Sequence, residues 1–349
     1  MKQTTMIFSL CLLMLFAMLA CEGPEEENKK PKGDPMDAYK HIGQIDRIDA
    51  AINELIPEDA EIEVLAEGFD WTEGPLWVED GEYVLFSDIP PNNIHKWSEG
   101  EGVSLYLNPS GYTGDVDRSG EAGSNGLLLN ADGQLVLCQH GDRRVSYMDA
   151  PLSEPQANYI TIADSYEEKR LNSPNDAAFH SNGDLYFTDP PYGLVDQMED
   201  EGKEIDFQGV YRVKSDGSVD LLTDELSRPN GIAFSPDEKT LYVANSDPER
   251  AIWMAYDVQE DGSIANGRVF FDATDKVGQD NKGLPDGLKV LSNGIIFATG
   301  PGGVLVFSSQ GKHLGTVRTG EATSNCAIGG DGYLYMTADM YLCRIEINV

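Results

Sequence analysis

Six times along this 349-residue chain the same short pattern opens a stretch of β-rich sequence. The copies are Thr72-Glu73-Gly74-Pro75-Leu76-Trp77, Ser124-Asn125-Gly126-Leu127, Pro174-Asn175-Asp176-Ala177, Pro229-Asn230-Gly231-Ile232, Pro285-Asp286-Gly287-Leu288 and Ser324-Asn325-Cys326-Ala327. About seven residues after each opening comes a turn pair, at Asp80-Gly81, Asp132-Gly133, Asn182-Gly183, Asp237-Glu238, Asn293-Gly294 and Asp331-Gly332. Asn-Gly and Asp-Gly pairs predict tight hairpins, because type I′ turns need two residues at positive φ. A β-rich strand then returns, as in Tyr83-Val84-Leu85-Phe86 or Leu241-Tyr242-Val243-Ala244. The spacing of roughly fifty residues is that of a four-stranded propeller blade, so the chain predicts an all-β, six-bladed β-propeller over residues 61–349. A ring must close, and the early strand Glu61-Ile62-Glu63-Val64-Leu65 is expected to pair with Tyr341-Leu342-Cys343-Arg344-Ile345, which removes the open edges.

The repeat also makes a statement about chemistry. If each opening residue starts an innermost strand, Glu73, Asn125, Asn175, Asn230, Asp286 and Asn325 stand around one end of the central channel. One such residue alone would be read as capping a turn. Six together, with acids in two copies and amides in the rest, point to a cation. Carboxylates with neutral amide oxygens form a hard, all-oxygen site that suits calcium first, with magnesium and manganese next and zinc poorly matched. The five histidines, at 41, 95, 140, 180 and 313, show no His-x-x-x-His pair, which disfavours a histidine zinc site.

The hairpin returns the chain to the same end about fourteen residues after each opening. That puts Asp88, His140, Asp189 and Asp339 near the mouth, with residues 245–247 and 300–302 beside them. His140 titrates in a useful range and is either a proton acceptor or a rim histidine bonded to backbone. Asp189, before Pro190-Pro191-Tyr192, is read as bracing a turn. Trp71 and Tyr192 offer surface for a ring substrate or plain packing. Residues 109–123, rich in Gly and polar side chains, read as a mobile flap over the channel. Asp115-Val116-Asp117-Arg118-Ser119-Gly120 has half of an EF-hand loop but Gly126 at its twelfth position, so a second calcium site there is disfavoured.

Glu73-Gly74-Pro75-Leu76-Trp77, Asn175-Asp176, Pro229-Asn230-Gly231 with Ser235-Pro236-Asp237, and Pro285-Asp286-Gly287 resemble the successive signatures of the senescence-marker-protein/gluconolactonase family. The likeness runs from about residue 60 to the C-terminus. It implies a six-bladed propeller with one catalytic divalent metal, opening sugar lactones in many members and cleaving organophosphates in some relatives. Carried over by motif, Glu73, Asn230 and Asp286 are core metal ligands, and Asn175 is a fourth ligand or a substrate contact beside Asn125 and Tyr192. The expected reaction sets the lactone carbonyl on the cation while water attacks. Asp286 or His140 takes the proton, and the resemblance favours Asp286. No Gly-x-Ser-x-Gly elbow is present, which argues against an acyl-serine route. A phosphotriesterase-like hydrolase and a noncatalytic carbohydrate-binding surface propeller are the alternatives.

The formal charge of -35 repels phosphate backbones and excludes nucleic acid as a natural partner. At the N-terminus, Lys2 and the apolar run 6–19 read as a signal peptide over 1–20. Met18-Leu19-Ala20-Cys21 resembles a bacterial lipoprotein box, so Cys21 is the expected lipidation site of a protein exported to the periplasm or outer membrane. A membrane is met only through that anchor. Residues 21–40 are too polar to fold and read as a tether. Within 41–60, Ile45, Ile48, Ile52 and Leu55 lie at near-helical spacing and predict a short helix docked on the propeller. Cys138, Cys326 and Cys343 are expected as buried thiols. The oligomeric state is not encoded in any of these features.

Overall fold

The structure, a computed structural model, describes residues 39–116 and 118–348. The signal peptide, Cys21 and the tether up to residue 38 lie outside the described residues, as does Asp117 of the EF-hand-like loop.

Among the described residues six four- or five-stranded antiparallel sheets follow one another, with a two-stranded ribbon of Ser165–Tyr166 and Lys169–Arg170 between the second and third. The innermost strands of the six sheets are Thr72–Val78, Ser124–Leu129, Ala177–Phe179, Pro229–Phe234, Leu288–Val290 and Thr323–Ile328; four contain the repeated opening residue, and in the third and fifth Asn175 and Asp286 stand two residues before the strand. Blades one to four each take four consecutive strands, and blades five and six carry a fifth at the edge. Apolar residues of neighbouring sheets meet in separate cores between blades. Val78 and Leu85 pack with Leu127 and Leu137, Phe187 with Val136 and Cys138, and Phe86 with Tyr335 and Leu342. Cys138, Cys326 and Cys343 are free thiols buried in these layers.

The ring closes as the sequence predicts. Ile62–Glu67 pairs antiparallel with Tyr341–Glu346, with Cys343 opposite Val64 and Arg344 opposite Glu63. Arg344 is the clasp, since its Nε lies 2.6 Å from Glu63 Oε2 and its Nη1 2.6 Å from Glu99 Oε2 of blade one. Its guanidinium also stands 4.2 Å from the Tyr333 ring centroid. Arg344→Ala should therefore lower unfolding stability by about 2 kcal/mol, less than for a fully buried pair because Glu99 is half exposed. A urea midpoint that falls at unchanged slope checks this.

The lead-in differs from its expected form. Lys40–Ile42 adds to the edge of blade six beside Ile62–Glu67, and Gln44–Arg47 adds to blade five beside His313–Arg318. Gly43 joins them at φ +66°, where a Cβ would fall 1.8 Å from the Arg318 carbonyl oxygen. Only Ile52–Leu55 is helical, with Ile52 and Leu55 sunk into the core between blades five and six. Ile48 is exposed. Of the four apolar residues at that spacing, Ile45 lies half-buried in the second strand, Ile52 and Leu55 are buried in the helical turn, and Ile48 packs against neither blade's core.

The hairpin turns also depart from type I′. At Asp132-Gly133 only Gly133 has positive φ, Gly133 N–H donates to the Asn130 carbonyl, and Asn130 N–H donates to the Gln134 carbonyl. The loop is one residue wider than a two-residue turn, and the Asn130 side-chain oxygen holds it by accepting N–H groups of Asp132 and Gln134. The same backbone pattern recurs at 180–184, 291–295 and 329–333.

Candidate functional site

Glu73, Asn125, Asn175, Asn230 and Asp286 line one cavity of about 180 Å³ at one end of the channel. Two local devices bring them there. The residue after several of these is glycine because the next blade comes too close for a side chain; a Cβ on Gly231 would lie 2.2 Å from the Asp286 carbonyl oxygen. Hydroxyls at the ends of the return strands then stitch blade to blade. Ser87 donates to the Asn125 carbonyl (2.9 Å), Thr188 to that of Asn230 (2.7 Å) and Thr299 to that of Ser324 (2.7 Å).

Asn325, the sixth residue of the pattern, does not line the cavity. Its side chain occupies the space a Cβ on Gly287 would need, its Nδ2 donates to Glu73 Oε2 at 3.2 Å, and its Oδ1 accepts the Cys326 N–H. It supports Glu73, which also accepts the Gly74 N–H at 2.8 Å. In the third copy Asp176 stands where four of the others have glycine, and lines a separate pocket with Leu76, Ile232 and Leu288.

The residues expected near the mouth on the return strands mostly brace it from behind. Asp88 accepts the N–H groups of Asp70 and Trp71, Asp189 those of Asn172 and Ser173, and Asn245 that of Arg228. Each carboxyl or amide thus fixes the segment entering its own blade's inner strand. Of residues 245–247 only Ser246 reaches the cavity. His140 does not line it either. Its side chain is fully buried behind Glu121, with Nδ1 3.1 Å from Glu121 Oε2, so Glu121 and not the imidazole faces the cavity. Asp339 and residues 300–302 stay off the cavity as well.

Trp71 and Tyr192 form aromatic walls, joined by Leu284. Glu121 and Arg228 complete the lining and were not legible as site residues. Glu121 belongs to segment 109–123, whose base is pinned by the Asn92 side-chain oxygen on the N–H groups of Ser110, Gly111 and Tyr112. Arg228 stands two residues before Asn230, a position that carries no repeated pattern.

The electrostatics are severe. Burial pushes the Asp286 carboxyl well above its ordinary range, and the charge of Glu73 adds to this, followed by Asp176 and Glu121. Burial raises Glu73 too, with Asp176 contributing and the Gly74 N–H opposing. Side-chain oxygens of Asn125, Asn175, Asn230 and Asp286 are buried with no hydrogen-bond partner among the described residues. Unpartnered acceptors and crowded acids in one cavity are what a hard divalent cation satisfies, so the residues fit such an ion. Among the described residues no group of three or more His, Cys, Asp or Glu side chains converges as a nitrogen- or sulfur-rich site would require.

Fold and site define a six-bladed propeller with a buried, oxygen-lined site at one mouth of its channel. The chain belongs to the family described as the SMP-30/Gluconolactonase/LRE-like region, whose model matches residues 71–339. It is 37% identical over 317 residues to a gluconolactonase of Zymomonas mobilis, covering 87% of this chain and 86% of that one. A gluconolactonase structure from Xanthomonas campestris superposes with a TM-score of 0.75 at 30% identity, covering 90% of this chain and 99% of that one. Regucalcin of Agrobacterium tumefaciens, a calcium-binding protein, shares the fold with a TM-score of 0.62 at 20% identity, over 81% of this chain and 93% of its own.

Proposed function

We propose that the protein is a sugar-lactone hydrolase, a carboxylic ester hydrolase of the gluconolactonase type, working with one divalent cation on Glu73, Asn175, Asn230 and Asp286. The observation that carries this is the set of unpartnered, buried side-chain oxygens from successive blades around one small cavity. The kinship with gluconolactonases supplies the reaction class. Calcium is the first candidate, on the hardness of an all-oxygen set.

When bound, the cation supplies Lewis acidity at the lactone carbonyl and counter-charge for the acids. The chain's own residues do the rest. Asp286 accepts a proton from the attacking water as the water oxygen bonds to the carbonyl carbon. The ring C–O bond then breaks, and the departing alkoxide recovers that proton, leaving a hydroxy acid. Trp71, Tyr192 and Leu284 exclude bulk water and flank the ring, and the Arg228 guanidinium offers donors to its oxygens. A cavity of about 180 Å³ has room for one sugar ring.

A pH-indicator assay over a panel of sugar lactones, with calcium, magnesium or manganese restored after chelation, tests the proposal. Acid release that depends on the added cation is expected. Ligand binding without acid release on any lactone would leave a carbohydrate-binding propeller instead. Lipidation of Cys21 and export are proposed on the N-terminal sequence alone, and mass spectrometry of the mature N-terminus decides them.

A further inference from the structure

We propose that Glu121 is a substrate-binding carboxylate that selects lactones bearing ring hydroxyls, and that His140 is the residue that positions it. The inference rests on the lactonase reading above and adds to it a determinant of which lactone is accepted.

Glu121 lines the cavity with Asn125, Tyr192, Arg228 and Asp286, and its side chain is 30% exposed there. Behind it the His140 imidazole is completely buried, with Nδ1 3.1 Å from Glu121 Oε2 at an angle outside hydrogen-bond geometry. Among the described residues neither ring nitrogen has another polar partner. A buried imidazole without partners is costly, and this one is turned to a single polar group. The surroundings fix it in that place. The His140 N–H donates to the Gly123 carbonyl at 3.2 Å, two residues beyond Glu121. Gly193, next to Tyr192, packs so closely that a Cβ there would meet the His140 Cβ at 2.6 Å. The buried His140 ring thus backs the Glu121 carboxylate on its Oε2 side, and the other carboxylate oxygen is the one offered to a ligand.

The chemistry of the ligand follows from what a carboxylate can do. Ionised, it only accepts hydrogen bonds, and the carbonyl and ring oxygens of a lactone also only accept. On a bare lactone Glu121 has nothing to bind. A ring hydroxyl supplies the missing donor, in a charge-assisted bond that a site pays for if the hydroxyl is absent. Glu121 is not explained as part of the acid pair either, since its charge adds to the repulsion already raising Asp286.

Steady-state kinetics of the calcium-loaded full chain on glucono-δ-lactone and δ-valerolactone, which share a ring size, test the proposal. In the wild type kcat/KM favours the hydroxylated ring, and in Glu121→Ala that preference falls about 10- to 100-fold, chiefly through KM. His140→Phe, which keeps a ring but removes Nδ1, shifts the preference in the same direction with kcat on glucono-δ-lactone retained. Equal losses on both lactones, a loss confined to kcat, an unchanged preference, or loss of the bound calcium from Glu121→Ala would each overturn the proposal. If His140→Phe fails to fold, the Glu121→Ala result decides alone, because Glu121 is partly exposed. A wild type inactive on both lactones overturns the lactonase reading itself, an outcome distinct from an active enzyme with an unchanged preference.

Discussion

Asp286→Ala is expected to reduce kcat/KM for sugar lactones by at least about 10³-fold, the combined loss of a proton acceptor and of a cation ligand. Asp286→Asn separates the two roles. The amide keeps an oxygen for the ion but has no basicity, so this variant should retain part of its cation affinity while losing turnover. Its stability carries an independent sign. In the cation-free protein the Asp286 carboxyl is buried beside Glu73, and burial together with that neighbour opposes its ionisation. An amide of the same shape relieves the repulsion, so Asp286→Asn should unfold at a higher temperature than wild type when both are chelated at neutral pH. Normal hydrolysis by Asp286→Ala would remove Asp286 from the reaction.

The second large effect is expected from cation removal, and its pH dependence has a definite direction. Glu73 titrates near 4.3 in an unfolded chain and is pushed up to about 8 in the cation-free fold, mainly by burial. Between those values the native state holds a proton that the unfolded state has released. The stability of the chelated protein therefore falls as pH rises from about 4 to about 8. A bound cation takes the place of the proton, so the loaded protein escapes that loss and binds the ion more tightly as pH rises. Thermal unfolding with calcium and with chelator should give curves that converge near pH 5 and separate toward pH 8. The separation corresponds to about 2.7 kcal/mol when free calcium is 100 times its dissociation constant. Comparing loaded and chelated samples at each pH cancels the general effect of the large negative charge. Superimposed curves throughout would contradict the proposed site.

Much of this molecule is legible in its sequence because its repeat reports geometry directly. Runs of β-rich residues after each turn pair mark the strands, the return to Tyr341–Glu346 fixes the closure with Val64, and the opening residues fix a shared height on the channel axis. Glu73, Asn125, Asn175, Asn230 and Asp286 meet for that reason. Counting along a hairpin gives height but not radial direction. It put His140 near the mouth, whereas the ring sits between blade and entry segment, behind Glu121. Asn325 shares the grammar of the other copies and still turns away, because the open side of Gly287 admits its side chain and Glu73 accepts its amide. Glu121 and Arg228 come from entry segments that carry no period, and only the folded chain brings them to the cavity. The lead-in misleads for a related reason, since one strand residue, Ile45, the exposed Ile48 and one helical turn happen to fall at the spacing of a single helix.

Counting metal ions bound per chain, by elemental analysis after dialysis against micromolar calcium, tests the account at its centre. The wild type should carry one tightly held ion, and a Glu73→Gln, Asp286→Asn double variant, confirmed as folded by its circular dichroism, should carry none. A folded wild type that binds no divalent cation, or a double variant that retains the same ion, would show that these oxygens do not form a metal site.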